Sequence, residues 1–303
     1  MAIIAYQSFE SNTSKTHNAD AIFQNKFTVE TNQRVSGAGV NALVYPTIPE
    51  DPATIVQGPA HLVPVGRLSP MASASLSPLR AQIEQIFQNS TRALHDEIDL
   101  LVCGELDVAS HGDFAALRAF PGLSTHTTFA DKNCQCFTAF TASGRGAQSK
   151  MIAEGVGYLC VDLGGICVLF VHVPNAFARD RNATTAFYGR IIQDVIGKGY
   201  AAIDLVMGDT NQSSADQTRD CLEAAKGATG AQYVNAFSGG AIEPVDNYMH
   251  TEKGTNSSGS KMYDVAVYNQ TSLKLRRVVY FSQSSSGTTA TDHMGIAIDV
   301  IRA

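Results

Sequence analysis

Three apolar runs in this chain each stop on a side chain that can do chemistry, and this repeated form limits the fold more than any other feature. Ile98-Asp-Leu-Leu-Val-Cys103 runs into Gly104-Glu105, Gly165-Ile-Cys-Val-Leu-Phe-Val171 into His172, and Ala201-Ala-Ile-Asp-Leu-Val-Met207 into Gly208-Asp209-Thr210-Asn211. Near-continuous apolar runs, as opposed to alternating ones, belong to strands buried on both faces. Such strands need a layer packed on each side. With 303 residues, 44% of them hydrophobic, the chain can bury a core large enough for that arrangement.

Around these runs the sequence reads as one continuous α/β array over 1–303. A strand starts at once at Met1-Ala-Ile-Ile-Ala-Tyr6. Residues 10–78 are rich in Ser, Thr, Asn, Pro and Gly and read as a long irregular insertion. Ser77-Pro78 opens a helix carried by Leu79, Ile83, Ile86, Phe87 and Leu94 and ending near His95. A second helix runs from Asn182 to Gly197 on the spacing of Ala186, Ile191, Ile192 and Val195. Further strands are expected at 157–161, 262–269, 277–282 and 294–300, with Gly/Ser/Thr loops at 254–260 and 282–291. No repeat of fixed period occurs.

Charge and cysteines narrow the class. A formal net charge of -6 argues against a protein that grips nucleic acid mainly through a strongly basic face. Six scattered cysteines read as free thiols, and Cys134-x-Cys136 lacks the second pair that a zinc site needs. No export signal and no apolar run of membrane-spanning length is seen, so a soluble, cytoplasmic protein is expected, with leaderless secretion left open.

Hydrolysing a phosphodiester requires neutralised phosphate charge, a positioned water and a stabilised leaving oxygen. Hard oxygen ligands around a divalent ion meet much of that need. The chain offers Glu105, Asp209, Asn211, Asp264 and Asp292 at strand ends or in flanking turns, with His172 and His293 beside them. Gly208-Asp209-Thr210-Asn211 resembles the Gly-Asp-x-Asn motif of the deoxyribonuclease I-like endonuclease/exonuclease/phosphatase superfamily. Tyr263-Asp264-Val-Ala-Val267 is similar to its Tyr-Asp-x-x-Val strand, Thr291-Asp292-His293 to its Ser-Asp-His signature, and Leu100-Leu-Val-Cys-Gly-Glu105 to its strand ending in Gln-Glu. Val171-His172-Val-Pro-Asn175 looks like a blend of its deoxyribonuclease and abasic-site endonuclease patterns.

The resemblance implies a four-layer sandwich of two mixed β-sheets flanked by helices, and a magnesium- or manganese-dependent nuclease. It implies that Glu105 and Asp292 hold the metal, Asp209 positions the attacking water, Asn211 and His172 bind phosphate, Asn175 assists, and His293 pairs with Asp264. The family's strand-1 asparagine is replaced here by Gln7, which becomes the third metal candidate, and glycine at 104 replaces a glutamine. Arg145 and Lys150 are the candidates for a basic substrate contact. Nucleic acid is the expected substrate, with no membrane and no organic cofactor. Two other functions stay open: a phosphoesterase for phospholipids or small phosphorylated molecules, and a binding module that keeps the fold without catalysis.

Overall fold

The computed structural model describes residues 1–8, 17–18, 98–106, 136–141, 149–237, 263–281, 288–289, 293 and 295–303. In chain order its elements are β1 (Ala2–Ser8), β2 (His17–Asn18), β3 (Leu100–Leu106), β4 (Cys136–Thr141), β5 (Ser149–Gly155), β6 (Tyr158–Leu163) and β7 (Ile166–His172). There follow α1 (Asn175–Ala178), α2 (Arg181–Gly197), β8 (Leu205–Asp209), α3 (Ala215–Ala225), β9 (Tyr233–Asn235), β10 (Asp264–Asn269), β11 (Leu273–Phe281), β12 (Thr288–Thr289) and β13 (Gly295–Arg302).

Two mixed sheets carry the core. The first is ordered β11-β13-β1-β3-β4 and the second β5-β6-β7-β8-β10-β9, while β2 and β12 make a small separate pair. Thus His17 and Asn18, within the stretch read as irregular, form a short bridge to Thr288 and Thr289. Alternation along β1 sends Ala2, Ile4 and Tyr6 into a core shared with Leu100, Val102, Ile296 and Ile298 of its own sheet and with Val161, Val168, Phe170 and Met207 of the other. The sheets therefore face each other across these side chains. Tyr6 stacks on Phe170 across the gap, ring centroids 6.2 Å apart. Ile3, Ala5, Leu101 and Cys103, on the opposite face of the first sheet, are buried too.

The outer face of the second sheet is covered by α2 and α3. Phe187, Tyr188, Ile191, Ile192 and Val195 of α2 lie at helical spacing and pack on Cys160, Leu169, Val171 and Val206. Each large apolar side chain buried this way contributes about 1.5–3 kcal/mol relative to exposure. Asp180 caps α2, its carboxylate accepting from Asn182 N and Ala183 N. The observed helix matches the expected one to within a residue. The sequence reading passed over α3, although Ser214-x-x-Gln217 marks its start. Ser214 Oγ accepts from Gln217 N at 3.4 Å, and Gln217 Oε1 accepts from Ser213 N at 3.0 Å. The two-sheet architecture is as expected; the helix expected after Ser77-Pro78 lies outside the described residues.

Pairing directions decide where the chemistry goes. β1 and β3 are parallel, as are β7 and β8, and the approach of Glu105 at the end of β3 to Asp209 at the end of β8 puts all four exits at one edge. β10 and β13 run antiparallel to β8 and β1, so they enter at that same edge. The register aligns His172 with Asp209, Asp209 with Asp264, and Ser8 with Gly104. One expected strand is shorter than its apolar run: β8 begins at Leu205, and Asp204 just before it is tied to β7. Its carboxylate accepts from Cys167 N at 2.8 Å while its own N–H donates to Cys167 O.

Candidate active site

Asp209 ends β8 fully enclosed, and its two oxygens have separate tasks. Oδ1 accepts from Asn211 N at 2.8 Å, the local side-chain-to-backbone bond that an Asp-x-Asn turn makes anywhere. Oδ2 lies 3.9 Å from His172 Nε2 and 3.9 Å from His293 Nε2. The turn chemistry fixes the carboxylate so that its second oxygen stands between two imidazoles. Gly208 makes this close packing feasible. It has φ +144°, and a β-carbon there would overlap the Val171 carbonyl of the neighbouring strand.

His293 enters just before β13 and is held by Asp264, with Nδ1 2.8 Å from Oδ2. Asp264 is itself buried at the start of β10, and Tyr280 from the opposite sheet donates its hydroxyl to the Asp264 carbonyl at 2.7 Å. Burial alone would push the His293 imidazole down. The Asp264 carboxylate, by charge and hydrogen bond, and the Asp209 and Glu105 charges behind it, instead hold its pKa well above the usual histidine value. His293 is therefore a cation set among carboxylates. Its Nε2 also lies 3.9 Å from Glu105 Oε2.

Glu105 and Asn211 are the non-glycine residues with positive φ among those described, at 57° and 51°. Both belong to this edge, where a sparsely populated backbone conformation persists only because its surroundings impose it. Asn211 Nδ2 donates to Val173 O at 2.9 Å, tying the exit of β8 to the exit of β7. Thr210 does the same toward β10, its N–H and hydroxyl both donating to Tyr263 O.

The structure thus brings His172, Asp209, Asn211, Asp264, His293 and Glu105 to one sheet edge. Asn175 stands close by in sequence, exposed at the first position of α1. Gln7 reaches the same edge with its amide turned to backbone: Nε2 donates to Ser8 O at 2.9 Å and to His293 O at 3.2 Å. Its Oε1 is buried and accepts no hydrogen bond among the described residues. Lys150 does not join them. It is exposed on the edge strand β5, paired with Asp162 and so level with Cys167, five residues and roughly 17 Å short of His172 along β7. Lys274, Arg276 and Arg277 sit on the half of β11 that pairs with Asp299 to Arg302, away from the His293 end. Arg145 and Asp292 lie outside the described residues.

Sequence reasoning missed Ser8. Its hydroxyl donates to Glu105 Oε2 at 2.6 Å, and the residue is fully buried. Nothing local in Gln7-Ser8 marks it; only the parallel β1–β3 register does.

The two acids of this cluster fit a metal. One ligand atom each from Glu105, Asp209 and His293 lies within 4.8 Å of the others. Two carboxylates facing one another suit a hard divalent cation. His293, protonated and bonded to Asp264, has no lone pair to give. It suits an anion.

No protein-family profile matches the chain, and no curated protein does. Solved structures of similar shape exist. The mannosyl-6-phosphatase of Bacteroides thetaiotaomicron is 13% identical, with 99% of this chain and 100% of that one covered at a TM-score of 0.49. An endonuclease/exonuclease/phosphatase family protein from the same organism is 11% identical over 99% and 94% of the two chains, TM-score 0.49. The human Nocturnin catalytic domain is 14% identical over 74% and 87%, TM-score 0.47. At such scores the chemistry of the site stands on its own residues.

Proposed function

We propose that this chain is a divalent-metal-dependent phosphodiester hydrolase, and specifically a nuclease. The observation that carries the reading is Asp209, with one oxygen locked by Asn211 N and the other set between the His172 and His293 imidazoles. A carboxylate so placed can orient a water and take its proton, and the flanking imidazoles can meet the oxygens of a phosphate. His293, kept protonated by Asp264, supplies fixed positive charge to the phosphoryl group. His172 contacts the phosphate or the leaving oxygen, and Asn211, braced on Val173 O, holds the substrate against Asp209. Asn175 lines the approach. Glu105, with Asp292 next to His293 in sequence, forms the proposed cation-binding side. Magnesium or manganese bound there would neutralise phosphate charge and the developing negative charge on the leaving oxygen.

The test is hydrolysis of supercoiled plasmid, structured RNA and bis(p-nitrophenyl) phosphate with magnesium or manganese, followed through His172→Ala, Asp209→Ala and His293→Ala. Each variant is expected to lose about 10²- to 10⁴-fold in rate while remaining folded. Near-normal rates in all three would sink the proposal. Cleavage of the small diester without either nucleic acid would keep the chemistry and overturn the nuclease assignment.

A further inference from the structure

Resting on the metal reading above, we infer that Ser8 is a positioning residue that sets the orientation of the Glu105 carboxylate toward the cation. Three observations converge on it. First, the Ser8 hydroxyl donates to Glu105 Oε2 at 2.6 Å, a short charge-assisted bond between two buried side chains. Second, Glu105 has φ 57°, so its side chain leaves the strand from a conformation that its own backbone does not favour and that a neighbour must hold. Third, β1 and β3 approach closely at this point. Ser8 is paired with Gly104, and a β-carbon on Gly104 would overlap the Tyr6 hydroxyl. The Tyr6 hydroxyl takes the space that a side chain before Glu105 would need, and the bare Gly104 lets β1 lie close enough for the Ser8 hydroxyl to reach the Glu105 carboxylate.

Such a donor has a defined effect on a ligating carboxylate. It occupies one lone pair of Oε2 and fixes the plane of the group. Partners of this kind, touching the ligand but not the metal, typically govern about 10- to 100-fold in metal affinity. Ser8 therefore does at Glu105 what the neighbouring amide of Gln7 does not: Gln7 Nε2 is given to the Ser8 and His293 carbonyls. The polar end of β1 is divided between bracing the backbone and orienting the acid.

Calorimetric titration of the full chain with Mn²⁺ tests this, comparing wild type, Ser8→Ala, Ser8→Thr and Asp209→Ala, with Tm of the metal-free proteins measured in parallel. Ser8→Ala is expected to bind Mn²⁺ about 10- to 100-fold more weakly, and Ser8→Thr, which keeps the hydroxyl, to stay near wild type. A purely structural serine would lower Tm and leave the Mn²⁺ affinity unchanged; that result in folded Ser8→Ala overturns the inference while leaving the metal reading intact. A wild-type protein that takes up no Mn²⁺ overturns both. If the alanine variant does not fold, Ser8→Cys, of similar size and weaker as a donor, must show the same loss of affinity for the inference to stand.

Discussion

The Asp264–His293 pair offers the sharpest test of how this site is held. Its atoms are 2.8 Å apart, the Asp264 side chain is fully enclosed and the His293 side chain 7% exposed. Removing one member of a buried, hydrogen-bonded ion pair costs about 3–5 kcal/mol, because the other charge is left without compensation. The cost should sit at the upper end for His293→Ala. That change also strips the cation 3.9 Å from both Asp209 and Glu105, leaving three carboxylates facing one another in the metal-free protein. For a chain of this size the loss corresponds to roughly 6–10 °C or more in Tm. Urea unfolding of wild type, His293→Ala, Asp264→Ala and the double variant closes the cycle. If the two groups act as one unit, the double variant loses little more than the worse single variant, with a coupling energy of about 2–3 kcal/mol. Additive losses would refute the claim that the pair works as a unit, and a stable His293→Ala protein would refute the placement of His293 among the acids.

Other perturbations follow from the same geometry. Gly208→Ala forces a side chain into positive φ and into the Val171 carbonyl, so it should destabilise by about 3 kcal/mol or more and abolish hydrolysis together with folding of the edge, read by urea titration and rate. Because His293 has a raised folded pKa, its contribution to stability is complete below its unfolded value of about 6.5 and is lost as pH climbs through the folded value. Tm of the metal-free protein should accordingly fall on the alkaline side of neutrality, and His293→Ala should flatten that slope. Asp180→Ala removes the cap of α2 and should cost about 1 kcal/mol with catalysis unchanged. Lys150→Ala should leave the rate as it is, given its distance from His172 along the sheet.

What could be read in advance was set by local physics. Continuous apolar runs mark β3, β7 and β8 because strands covered on both faces have little need of polar side chains, and the polar residue that ends each run sits where the chain leaves the core. Helix α2 announced itself by its period. What could not be read depended on pairing across long stretches of sequence. Ser8 gains its meaning from lying beside Gly104, 96 positions away in the chain, in a parallel register that no local pattern encodes. Lys150 looked available because it follows a glycine-rich stretch, yet the β5–β6 hairpin carries it to the wrong end of the sheet. Ala201 to Ile203 looked like strand because the residues are apolar, but β8 begins only at Leu205, after Asp204 has bonded to Cys167 and Asn269 of the neighbouring strands. Asp209 bonds as an ordinary turn former through one oxygen and turns the other toward His172 and His293.

The arrival of strands from both sheets at one edge has a mechanical consequence. Glu105 belongs to the first sheet and Asp209 to the second, so a cation held between them would act as a clasp across the open rim of the sandwich. Without it His293 is the positive charge between the two acids; with it their attraction across the rim would be stronger. A ligand bound only by the folded form stabilises by about 2.7 kcal/mol at a hundred times its dissociation constant. Metal supply would then set how tightly the two halves of the protein are latched.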